Sequence, residues 1–147
     1  MSIPLQQQFQ TAQLTPCRFC NNVPTAQTKF RGHRGLIIMM QFRHVDGPFC
    51  RDCGMATFRE MTSKTLIQGW YGYASFFITP FIVLWNIINR GKVASLAPPQ
   101  PSPYGGARQP MHPGKRLLSR PISIIGLCVP FALIIGLILV IVLSSDA

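Results

Sequence analysis

Four cysteines in two close pairs, Cys17-Arg-Phe-Cys20 and Cys50-Arg-Asp-Cys53, constrain this chain most. Two thiolates two residues apart sit on one tight turn, and two such turns close a tetrahedral site around a single ion. Between the pairs lie 29 residues. Lys29 to Arg31 and Leu36 to Arg43 are predicted to form two strands around the turn Gly32-His33-Arg34-Gly35. The run Leu36-Ile37-Ile38-Met39-Met40 is expected to supply a minimal core. A core that small does not hold a fold alone, so bound metal is expected to carry much of the stability. Gly54 and Asn21 follow the two pairs. Both residue types tolerate the left-handed backbone that such turns use.

The expected ligands are Cys17, Cys20, Cys50 and Cys53, and the expected ion is one structural zinc. With four thiolates no position stays open for a reacting water. Iron is the alternative cofactor, because the spacing also resembles rubredoxin, a one-iron electron carrier. Against iron stand the basic residues of this segment, the absence of Tyr and Trp from residues 16–58, and Asn in place of Gly after the first pair. Disulfide pairing is the third possibility. His33 and His44 are read as a turn histidine and a surface histidine, since four cysteines already complete a site. Cys128 is read as a small hydrophobe.

A second feature sets the location. Residues 122–143 contain no charge and are mostly apolar, long enough to cross the hydrocarbon as one helix. Only 12% of the 147 residues are charged, yet 14 Lys and Arg face 4 acids, a net charge of +10. That imbalance suits anionic lipid or nucleic acid. With a membrane span present and no recognition-helix pattern, anionic lipid headgroups are the expected contact and nucleic acid is not. Met1 to Thr15 lacks the charged and apolar regions of an export signal. Reduced thiols and a cytoplasmic head are therefore expected.

The chain divides into a disordered lead-in (1–15), a cysteine domain (16–58), a helical connector (59–69), an aromatic membrane segment (70–89), a Pro/Gly-rich basic linker (90–121), a transmembrane helix (122–143) and a tail (144–147). The fold class expected is a small β zinc ribbon followed by membrane helices. Residues 70–89 read either as interfacial or re-entrant, with Pro80 bending a helix, or as a first span. The six prolines of 91–114 disfavour packed structure. Gly126 and Gly136 leave flat patches where another helix can approach.

The strings Cys17-Arg-Phe-Cys20, Phe30-Arg-Gly-His-Arg-Gly35, Gly47-Pro-Phe-Cys-Arg-Asp-Cys-Gly54, Gln68-Gly-Trp-Tyr-Gly-Tyr-Ala-Ser-Phe76 and Thr79-Pro80 resemble a group of uncharacterised actinobacterial membrane proteins. In that group a double-CxxC domain precedes an aromatic hydrophobic segment. The resemblance covers residues 16–98. It implies a cell-membrane location and brings no activity or catalytic residues.

Four acids in the whole chain leave little for acid–base chemistry, and no nucleophile set or phosphate loop is present. The sequence therefore reads as a non-enzymatic, membrane-anchored interaction module, an accessory subunit of a larger membrane protein complex. A membrane-tethered electron carrier and a tethered nucleic-acid-binding regulator are the alternatives.

Overall fold

Between the cysteine pairs the chain makes one long antiparallel hairpin. The computed structural model describes residues 15–36 and 39–145, so residues 1–14 of the lead-in, Ile37, Ile38 and the last two residues of the tail lie outside it. Strand β1 (Asn22–Val23) precedes β2 (Ala26–Gly35) and β3 (Met40–Phe49), followed by helices α1 (Arg51–Gln68) and α2 (Tyr73–Ala94). A short strand β4 (Gln100–Pro101), a single 3-10 turn (Leu117–Ser119) and helix α3 (Pro121–Ser145) complete the chain.

The hairpin differs from the expected one. Gly32, His33, Arg34 and Gly35 belong to β2, and the register pairs Ala26 with Phe49 and Gly35 with Met40. The reversal falls at 36–39, where Leu36 N–H donates to Met39 O at 2.8 Å. The glycines serve close packing instead of a turn. A Cβ on Gly32 would lie 3.1 Å from the Met61 sulfur, and one on Gly35 only 2.8 Å from the Ser75 Cβ.

The core also lies elsewhere. Leu36, Met39 and Met40 are exposed, so they do not form the expected core. Phe30, Phe49, Phe58 and Val93 form it, drawn from β2, β3, α1 and α2. The Phe30 ring lies 5.8 Å from Phe49 and 6.2 Å from Phe58, tilted in both cases, the offset geometry that aromatic quadrupoles favour.

Helix α2 runs antiparallel to α1 and lies across both α1 and β2. Its buried side is mostly polar, with Ser75, Thr79, Asn86 and Asn89 beside the apolar Ile82 and Val93. Thr79 Oγ1 donates to Gly69 O at 2.8 Å. Asn86 accepts from Arg31 N–H at 2.9 Å, donates to Arg31 O at 2.7 Å and reaches Thr62 Oγ1 at 3.2 Å. These bonds join α2 to a strand that has no further strand beside it. The outward side of α2 is apolar: Phe77, Phe81, Leu84, Ile87 and Ile88 are exposed.

Helix α3 starts beside α1 and runs parallel to it. Ser123 and Ser63 share a hydrogen bond of 2.9 Å, and three residues on, Gly126 faces the Leu66 carbonyl so closely that any Cβ would collide with it. The face of Gly126 expected to receive another protein's helix is thus taken by α1 of the same chain. Gly136 has nothing within 4 Å of its open side. Among the described residues α3 is the one helix long and apolar enough to cross a membrane.

Candidate metal centre

The four cysteines converge at the end of α1 opposite to that contact. Their sulfurs all lie within 4.8 Å of one another, and all four side chains are buried. All five cysteines of the chain are free thiols. The ligand set read from the sequence is brought together by two different local structures.

The first pair sits on a tight turn. Asn21 N–H donates to Cys17 O at 2.9 Å, and Cys17 N–H to Asn22 O at 3.0 Å. Asn21 adopts the left-handed conformation, φ 59°, as a residue closing such a turn must. Arg18 N–H donates to Pro48 O at 3.0 Å, and its guanidinium bonds Asp46 O, so the first turn is tied to the strand entering the second pair.

The second pair opens a helix. Cys50 is the N-cap of α1 in extended conformation, and Cys53 lies in the first turn. The unpaired N–H groups and positive dipole end of a helix favour thiolate there. Gly54 does not use left-handed backbone as expected; it is helical, and its missing side chain makes room for Val93.

A third element completes the site, and it is the segment expected to be a free linker. Residues 100–114 are laid over the cysteines. β4 pairs with β1, Asn22 to Pro101 and Val23 to Gln100. Arg108 N–H donates to Cys20 O at 2.7 Å, Asn21 Nδ2 to Gly105 O at 2.6 Å, and Asn22 Nδ2 to Arg108 O at 3.1 Å. Met111 N–H donates to the Cys53 sulfur at 3.3 Å. Arg59 donates to Pro113 O at 3.1 Å and Gly114 O at 2.5 Å, fastening the far end of the strap. A backbone donor to a ligand sulfur is what holds a metal thiolate in orientation.

The sulfurs of Cys17, Cys50 and Cys53 share hydrogen bonds that shift one another. Hydrogen bonds donated by Cys50 and Cys53 hold the Cys17 thiol far below its ordinary value. Donation to Cys17, helped by burial, pushes Cys50 up to about 12. The Cys53 thiol is raised further still by donation to Cys17 and Cys50 and by burial. The Cys17 thiolate accepts hydrogen bonds from the Cys50 and Cys53 thiols, which keep their protons. A divalent ion at the centre removes that competition and lets Cys50 and Cys53 ionise as well. The donor set therefore fits a soft or borderline metal ion.

His33 and His44 do not join the cluster. His33 is a buried strand residue, not a turn residue: its ring lies 4.8 Å from that of Phe42, neither ring nitrogen has a hydrogen-bond partner among the described residues, and burial lowers its pKa. His44 is exposed on β3, and Cys128 is exposed on α3. Sequence reasoning missed the strap. Its sulfur contact is made by a backbone N–H, for which the only available signal was the density of prolines and glycines that permits an extended, closely laid chain.

No protein-family model matches the chain, no curated protein matches its sequence, and no solved structure matches its fold.

Proposed function

We propose that this chain is a membrane-anchored zinc-ribbon protein with a cytoplasmic head, working without catalysis as an accessory subunit of a larger cell-membrane complex. The observation that carries the reading is the pairing of four buried, mutually close sulfurs at one end of α1 with one membrane-length apolar helix at the other. Four thiolates around one ion make a closed site, which suits structural zinc and leaves no place for a substrate. The basic surroundings, including Arg18, Arg51 and Arg108, offset the formal charge of −2 of such a site. The motif order shared with the actinobacterial membrane proteins fits the same location. Anionic lipid and a membrane protein complex are the proposed partners.

Gly136 supports the subunit role. It stands in the exposed half of α3 with its small face open, where a helix of another protein can approach closely. In mild detergent the native protein is expected to migrate with a much larger assembly, and Gly136→Leu to release it while the head stays folded. A monomer from native membranes, unchanged by that substitution, contradicts the subunit reading. A tag at residue 5 protected from impermeant reagents in intact cells supports the cytoplasmic head; a reactive one overturns it.

A further inference from the structure

We infer that the head is seated in the bilayer, not held above it: the end of α1, the N-terminal half of α2 and the strand ends at Leu36 and Met39–Met40 lie within the acyl chains of the lipid. This rests on the reading of α3 as a span and adds a second membrane-contacting surface to it.

The argument starts from length. After Pro130 every described residue of α3 is exposed, and Phe131–Ser145 make 15 residues, about 22 Å of helix. The hydrocarbon is about 30 Å thick. Counting back about 20 residues from Ser145, where the polar pair Ser144-Ser145 closes the apolar run, reaches Gly126. Gly126 is the residue pressed against Leu66 of α1. A full crossing by α3 therefore draws Leu66, and whatever projects beyond it, below the hydrocarbon edge. An edge placed earlier on α3 sinks the head further.

What projects beyond Leu66 is mostly apolar on the outside, with exposed Arg34 and its register partner Gln41 as polar exceptions. Gly69 meets Thr79, and Gly35 meets Ser75, so the α1–α2 corner and the hairpin tip share this end. Phe77 and Phe81 are 69% and 72% exposed there, with Tyr71, Leu36, Met39, Met40 and Phe42 also uncovered. Helix α2 turns mostly polar residues toward the protein, Ile82 and Val93 apart, and apolar ones outward, the reverse of a helix that faces water.

Charge changes at the matching height. Arg120 and Arg116 precede α3, and the Arg59 guanidinium is held low by burial first and then by the nearby charges of Arg120, Arg90 and Arg116. Arg120 lies six residues before Gly126, about 9 Å above the edge, in the headgroup layer. Arg31 stacks over the Trp85 ring at 4.8 Å, and Trp is suited to that layer. Arg34 and Lys64 stand close to the edge on exposed stems long enough to reach the headgroups. The metal centre lies 13 residues up α1 from Leu66, about 20 Å, and stays in water.

The test uses the full, zinc-loaded chain in liposomes containing a phospholipid with a photoactivatable diazirine at mid-acyl chain. Adducts are mapped by peptide mass spectrometry. Labelling of both α3 beyond Pro130 and the Phe77–Phe81 face, with residues 17–31 and 100–113 clean, is the expected result. Labelling of α3 alone overturns the seat, leaves the anchor standing and assigns the apolar face to a protein partner. Labelling of neither removes the anchor and the seat with it.

Discussion

Val93, near the end of α2, packs directly on the bare backbone of Gly54, one residue after Cys53 of the four-cysteine cluster. A Cβ on Gly54 would lie 2.8 Å from the Val93 Cγ1, closer than carbon atoms approach. The contact couples the packing of α2 to the placement of a metal ligand. Gly54→Val is expected to destabilise the head by about 1–3 kcal/mol through overpacking. Val93→Ala in the same chain opens the space and should recover part of the loss. A thermal melt of the two variants in detergent checks both; additive losses contradict the contact.

Asn86 does the work of a missing neighbour strand for Arg31. Its side chain satisfies both the N–H and the C=O of that residue. Asn86→Leu keeps the volume and removes both partners. Each buried backbone group left unpaired costs about 1–3 kcal/mol. Faster amide exchange at Arg31 and a clear drop in melting temperature are expected. Unchanged exchange at Arg31 contradicts the role.

Met111 tests the strap. Its N–H reaches the Cys53 sulfur at 3.3 Å, and Met111→Pro deletes that donor while keeping an extended chain beside Pro110. Loss of a supporting hydrogen bond at a ligand typically lowers metal affinity about 10–100-fold. Competition against a chromogenic chelator measures it. Affinity equal to the parent chain shows that the donor does not tune the sulfur.

Gly126→Leu places a side chain into the Leu66 carbonyl, so α3 must leave α1. Proteolysis near residues 115–120 should rise sharply, while Gly136→Leu, with open space around it, leaves the cleavage rate unchanged. Equal protection in both variants contradicts the docking of α3 on the head.

The ligand set was legible because CxxC spacing is a local property: two residues bring two sulfurs onto one turn whatever surrounds them. Asn21 was legible for the same reason. The hairpin register was not. Gly32 and Gly35 look like turn residues, but they are small because Met61 and Ser75 cross them, a long-range fact. The real reversal around Leu36 and Met39 carries no Gly or Pro to announce it. The run from Leu36 to Met40 reads as core on hydropathy alone, yet Leu36, Met39 and Met40 are exposed, because hydropathy does not say which side of a strand a residue faces. The strap was read as a linker because its grip on the cysteines is largely backbone hydrogen bonding, which leaves no side-chain pattern.

The central claim is a metal-organised head. Elemental analysis of the full chain purified from membranes in mild detergent tests it most directly, read beside a melt and paired with the variants Cys17→Ser, Cys20→Ser, Cys50→Ser and Cys53→Ser. The account predicts one zinc per chain, protons released on loading as Cys50 and Cys53 ionise, and loss of both metal and cooperative unfolding in every variant, since metal supplies much of the folding free energy of so small a core. A chain that contains no metal, or melts equally well without the four sulfurs, contradicts the account; a red protein carrying iron replaces zinc with an electron-carrying centre.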